Sequence, residues 1–152
     1  MKAVVQRVTN AGVSVEGVVH GKIDSGLLVY LGVAQGDAKT DADWLAEKIA
    51  NLRIFKDHDG RMNCSVKDTG GGVLAVSQFT LLADARKGRR PYYGNAADPD
   101  TAKDLYNYFM DKIREQGLVC ESGVFQAHMQ VSYTNDGPVT IILDTGDINK
   151  AS

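Results

Sequence analysis

Four aliphatic residues, Val73-Leu74-Ala75-Val76, are entered from three consecutive glycines, Gly70-Gly71-Gly72, and left through Ser77-Gln78-Phe79-Thr80. Short aliphatic runs bounded by glycine read as strands buried on both faces. Three hydrogen-bonding side chains follow this strand with no turn residue between them, and buried polar groups need partners or a ligand. In most strands such groups only satisfy neighbouring backbone, so a functional reading needs support from a second segment. That segment is Thr134-Asn135-Asp136-Gly137-Pro138-Val139-Thr140, which joins two strand-like runs near the other end of the chain.

The intervening sequence supplies a scaffold. Lys2 to Asn10 and Gly12 to His20 read as a hairpin joined at Asn10-Ala11-Gly12, because Val13 and Val15 alternate with Ser14 and Glu16. Arg7 lies among the core types Val5 and Val8, where a guanidinium needs fixed acceptors or an edge from which it reaches water. Gly26 to Val33 is continuously apolar and is expected at the centre of a sheet. A first helix is expected to start at Thr40, with Asp43 three residues on and Leu45, Ile49 and Leu52 forming a stripe beside a packed Trp44. Asp57-His58-Asp59-Gly60 reads as a turn, since the remaining ligands of a calcium loop are missing. A second helix is expected from the cap Asp98 and Pro99, with Ala102, Leu105, Phe109 and Ile113 on one stripe and Gly117 at its end. From Leu118 to Asp144 the alternation returns and predicts two more strands, while polar Thr145 to Ser152 is expected to fray. The expectation is one α+β domain over residues 1–145 with an antiparallel-rich curved sheet, two main helices and a tail at 146–152.

A chain of 152 residues supports one core, and a net charge of −2 argues against coating by nucleic acid. Any RNA contact must be local, and Arg86-Lys87-Gly88-Arg89-Arg90 followed by Pro91-Tyr92-Tyr93 is the only dense basic cluster. Cations interleaved with glycine and followed by aromatic rings can hold an RNA backbone, although a solvated loop would look the same. Cys64 and Cys120 lack metal or redox spacing, and His20, His58 and His128 are scattered. No metal or cofactor is therefore assigned. With no apolar run approaching the ~20 residues of a membrane span, a cytoplasmic protein without membrane or DNA partners is expected.

Ser77-Gln78-Phe79-Thr80-Leu81 and Asn135-Asp136-Gly137-Pro138-Val139-Thr140 together closely resemble the D-aminoacyl-tRNA deacylase family. The resemblance extends to Ala3 to Val8, Asn51 to Phe55, Met62-Asn63 and Arg86 to Pro91, nearly the whole chain. It implies a barrel-like sheet and a homodimer in which Gly137 and Pro138 of one chain, joined by a cis peptide and supported by Arg7, enter the pocket of the other as a chirality filter. It further implies an aminoacylated tRNA 3′ end as partner, with Arg86, Lys87, Arg89 and Arg90 on its phosphates and Phe125 and Met129 as pocket walls. The sequence departs from the family where Tyr92-Tyr93 replace Ser-Phe, where Val124 replaces an arginine and where His128 replaces an aspartate.

A nucleophilic Ser77 or Thr80 would need a base, and neither has a histidine or aspartate in a recognisable relay. An aminoacyl ester is already activated, so backbone N–H groups and a positioned water suffice. Phe79 and Thr80 are accordingly expected as backbone donors at the reacting carbonyl, with Ser77 and Gln78 shaping the pocket. The implied reaction is hydrolysis of D-aminoacyl-tRNA, and of glycyl-tRNA mischarged on the alanine tRNA. Two alternatives remain open: a non-catalytic RNA-binding module, and a related deacylase of L-alanyl-tRNA, which carries different residues at both motifs.

Overall fold

The computed structural model describes residues 1–150. Strand β1 (Lys2–Val15) lies at the centre of the antiparallel half of the sheet, pairing with β2 (Val18–Ile23), β3 (Gly26–Gly32) and the long β8 (Gln130–Asp144). The other half is parallel: β3 pairs with β6 (Gly72–Ser77), and β6 with β7 (Cys120–Ser122). The sheet is therefore mixed, and it curls into a nearly closed barrel. At the closure β2 passes so near β7 that a Cβ on Gly21 would lie 2.4 Å from the Ser122 carbonyl oxygen. A small hairpin of β4 (Phe55–Lys56) and β5 (Met62–Cys64) turns at Asp57 to Gly60, where the Asp57 carboxylate accepts from the N–H groups of Asp59 and Arg61.

Helix α1 (Lys39–Asn51) connects β3 to the β4–β5 hairpin, and α3 (Pro99–Glu115) connects β6 to β7. Both pack on one face of the sheet, where Leu45, Ile49, Phe109 and Ile113 meet Val5, Leu27, Val29, Val73 and Ala75. The opposite face forms a second core from Val8, Val13, Leu28, Leu74 and Val76 inside the curl. Strands β3 and β6 are thus buried on both sides, the physical reason for their unbroken apolar sequences.

Several boundaries differ from the sequence reading. Strand β1 runs through Asn10-Ala11-Gly12 without turning, and the hairpin closes at Glu16 and Gly17, both at positive φ (49° and 79°). Consecutive positive φ values mark a turn whose twist matches that of the flanking strands. Helix α1 starts at Lys39, and the Asp41 carboxylate, not a Thr40 cap, receives the Ala38 N–H at 2.8 Å. A third helix, the single turn α2 (Val66–Thr69), is capped reciprocally by Ser65 and Asp68. At the far end, residues Thr145–Lys150 form a 3-10 helix whose first residue is buried, its N–H donating to the Met1 carbonyl at 2.9 Å. Ala151 and Ser152, the end of the expected tail, lie outside the described residues. Among the described residues no helix is long and apolar enough to cross a membrane.

Phe109 is fully buried where α3 meets the sheet. Phe109→Ala should lower stability by ~3–5 kcal/mol, because it removes a large ring and leaves a cavity that β-sheet neighbours cannot fill. Urea unfolding checks this as a lower midpoint with an unchanged slope.

Candidate functional site

Because β3, β6 and β7 run parallel, their carboxyl ends open on the same side, where ligand sites of open parallel sheets form. A pocket of ≈ 530 Å³ lies there, within the range of small-molecule sites. Val33 follows β3 into it, Ser77, Gln78 and Phe79 follow β6, Phe125 to Met129 follow β7, and Ala97, Pro99 and Ala102 come from the start of α3.

The Ser77 to Thr80 segment is not strand throughout. Strand β6 stops at Ser77, and Phe79–Leu82 form a 3-10 turn. Gln78 N–H makes the last rung to β3, donating to the Leu31 carbonyl at 2.8 Å. The first N–H to return into the turn is that of Leu81, on the Gln78 carbonyl at 3.2 Å, so the amides of Phe79 and Thr80 are its leading donors. The Gln78 side-chain amide donates to the Thr80 hydroxyl, and Thr80 is not among the residues that line the pocket. No His, Asp or Glu among the described residues is hydrogen-bonded to the Ser77 or Thr80 hydroxyl.

Gly137 and Pro138 are joined by a cis peptide and lie exposed on β8, outside the pocket of their own chain. Arg7 is 5% exposed and reaches this segment from β1. Its guanidinium donates to the carbonyls of Ile54 at 2.7 Å and Asp136 at 3.3 Å, and pairs with the Asp136 carboxylate at 3.2 Å. Asn135 braces the loop from within, its side-chain amide donating to the carbonyls of Arg7 and Val139, each at 3.0 Å. Arg7 is thus a buried cation fixed to the base of the Gly-Pro tip and not an edge arginine in water.

Asp84 and Tyr92 exchange backbone hydrogen bonds, both 2.8 Å, and close the basic loop at its neck. Arg86 forks onto the Asp84 carboxylate at 2.9 and 2.6 Å, and these bonds hold that carboxyl at a pKa of about 2. All four cations are exposed; Arg86 is paired with Asp84, whereas Lys87, Arg89 and Arg90 form no ion pair with the described residues. Phe125 packs on Tyr106, ring centroids 6.2 Å apart, and the Tyr106 hydroxyl donates to the Ala75 carbonyl at 2.8 Å. Burial pushes the Tyr106 phenol well above its ordinary range, so it remains a donor.

Sequence reasoning missed most of the remaining lining. Ala96, Ala97 and Ala102 leave room by being small, a property that carries no motif, and Gln126 lines the pocket from a left-handed φ of 63°. His128, known beforehand only as a departure, stands at the pocket's rim, where a second hollow begins. No group of three or more His, Cys, Asp or Glu among the described residues is placed to hold a metal.

Comparison with known proteins places this chain among the hydrolases of carboxylic esters. The model of the family described as D-Tyr-tRNA(Tyr) deacylase matches residues 4–144, and the chain belongs to that family. A D-aminoacyl-tRNA deacylase of Koribacter versatilis is 61% identical over 145 residues, covering 95% of this chain and 97% of that one. One of Thermotoga petrophila is 54% identical over 148 residues, covering 97% and 99%. Among solved structures, a c-Myc DNA unwinding element binding protein superposes with a TM-score of 0.89 at 41% identity, covering 95% of this chain and 99% of the other. A probable eukaryotic D-amino acid tRNA deacylase, at 15% identity and a TM-score of 0.78, shares the fold.

Gly32 is the residue on which the 3-10 turn rests: a Cβ there would lie 2.5 Å from Leu82 Cδ2 and 3.0 Å from the Gln78 carbonyl oxygen. Gly32→Ala should displace the Phe79 and Thr80 amides and lower kcat/KM for ester cleavage roughly 10- to 100-fold, the scale of an ångström-sized misplacement. Circular dichroism alongside the assay should show the fold retained.

Proposed function

We propose that the chain hydrolyses the ester joining a D-amino acid to the 3′ end of tRNA, and glycyl-tRNA mischarged on the alanine tRNA, in the cytoplasm. The observation that carries the mechanism is the pair of leading amides, Phe79 and Thr80, on a turn whose first residue lines a pocket with no covalent relay. Two preorganised N–H donors stabilise the oxyanion that forms when water attacks the ester carbonyl. Ser77 and Gln78 shape the pocket around that carbonyl, and Phe125 and Met129 wall the adenosine end.

In this reading the active form is a homodimer. Strand β8 has a partner on one side only, its Ile142 is 75% exposed, and long open edges invite pairing with another chain. The Gly-Pro tip is exposed and outside its own pocket, which supports its entry into the pocket of a two-fold partner. There the backbone of Gly137 and Pro138 receives the substrate α-ammonium and crowds any L-side chain. Arg7 and Asn135 hold the tip rigid, so chirality is read by shape and the side chain of a D-residue is left free. Lys87, Arg89 and Arg90 hold tRNA phosphates, while Arg86 anchors their loop.

Two measurements test this. Purified protein should release D-tyrosine from D-tyrosyl-tRNA and leave L-tyrosyl- and L-alanyl-tRNA intact, and Thr80→Ala should keep most of that activity. Loss of roughly 10⁴-fold or more in Thr80→Ala, together with a trapped acyl-enzyme, would make Thr80 a nucleophile and overturn the mechanism. Replacing Lys87, Arg89 and Arg90 by alanine should flatten the salt dependence of tRNA binding by about 0.7 in log–log slope per lost phosphate contact, with duplex DNA as the control ligand.

A further inference from the structure

Tyr92 stands at the neck of the basic loop, fixed by its two backbone hydrogen bonds to Asp84. Its ring is seated against Gly94, where even a Cβ would come within 1.9 Å of the Tyr92 hydroxyl, yet it stays 64% exposed. The neighbouring Tyr93 ring meets Phe79 edge-on, centroids 5.2 Å apart, and Phe79 lines the pocket. Three exposed rings, Phe79 at 56%, Tyr93 at 39% and Tyr92 at 64%, thus stand on the pocket and on the loop joined to it, the last two directly following the exposed cations Lys87, Arg89 and Arg90 in the chain.

We propose that Tyr92 is a stacking platform for an unpaired base of the RNA 3′ end, the base preceding the terminal adenosine, with Lys87, Arg89 and Arg90 on the adjoining phosphates. The proposal rests on the reading that an RNA 3′ end enters the pocket. A pocket that admits one terminal residue obliges the rest of the strand to leave across its rim, and the contact of Phe79 with Tyr93 joins that pocket to the loop that carries Tyr92 and the exposed cations. Exposed cations followed in the chain by exposed rings suit single-stranded nucleic acid: phosphates meet the cations, and any base offers a π-face to a ring. A rigid, backbone-pinned ring loses little freedom when a base settles on it.

The test is binding of the unacylated tetranucleotide ACCA, compared with the same oligomer abasic at the residue before the terminal adenosine. Tyr92→Ala should weaken ACCA binding roughly 10- to 100-fold, the loss expected for one stacked base, while Tyr92→Phe and Tyr92→Trp restore it. Wild type and Tyr92→Ala should bind the abasic oligomer equally. Equal binding of ACCA by wild type and Tyr92→Ala, failure of Phe to restore it, or the same loss with the abasic oligomer would each overturn the platform. So would dissociation of Tyr92→Ala into monomers in sedimentation with RNA affinity unchanged, which would make the ring a contact between copies of the chain. D-tyrosyl-adenosine has no preceding base, so Tyr92→Ala should cleave it like wild type. If wild type cleaves no D-aminoacyl ester but the ACCA difference holds, the deacylase reading fails and the platform stands.

Discussion

The hydrogen bond from Gln78 N–H to the Leu31 carbonyl decides where the chain leaves the sheet. It continues the parallel register in which Leu31 stands opposite Ser77, and beyond it the two strands can no longer pair. Gly32 lies just past that rung and offers no side chain, so the next residues of β6 fold down over it as a 3-10 turn. A turn placed this way presents its first amides outward from a rigid base, because the sheet beneath is buried on both faces and cannot yield cheaply. The orientation of Phe79 and Thr80 is therefore a consequence of strand register and of one close approach.

The second fixed point is Arg7. A cation that is 5% exposed carries a large desolvation penalty, which is offset only when hydrogen bonds satisfy the guanidinium. Its acceptors come from two distant parts of the chain, Ile54 next to the β4–β5 hairpin and Asp136 in β8. The arginine thus ties the interior of β1 to a loop that is otherwise exposed. Asn135 repeats the brace with neutral bonds. A solvent-facing Gly-Pro tip on such a base behaves as a rigid projection, and rigid projections bind with less entropy loss than mobile loops.

Much of this was legible in the sequence, and the errors have local causes. The unbroken apolar runs of β3 and β6 reported burial on two faces correctly, and Asp98-Pro99 marked the start of α3. The hairpin turn was misplaced because Asn10-Ala11-Gly12 has better turn chemistry than Glu16-Gly17. Tertiary pairing overrides it: β1 continues because β8 pairs along both of its halves, carrying Ala11 and Val13 into the core. The single turn α2 did announce itself, with Ser65 three residues before Asp68, but four residues give no periodicity to read. At the site, Ser77 to Thr80 stood out by type. The alanines that make the space, and Gly32 beneath the turn, act through what they lack, and absence of bulk has no pattern.

The basic loop shows how a chain of net charge −2 can still present a local positive field. Of its four cations, Arg86 is paired with the Asp84 carboxylate, which offsets one positive charge while the arginine side chain itself stays 88% exposed. With all four cations free, the loop would attract an RNA backbone more strongly but would have to be ordered on contact, at a cost in backbone and side-chain freedom that grows with each residue fixed. Engaging one arginine to hold the neck leaves Lys87, Arg89 and Arg90 presented from a closed loop whose base also carries Tyr92. In the proposed reading this charge would steer an RNA strand toward the loop, and the contact between Tyr93 and the pocket residue Phe79 ties the loop to the pocket its last residue would enter.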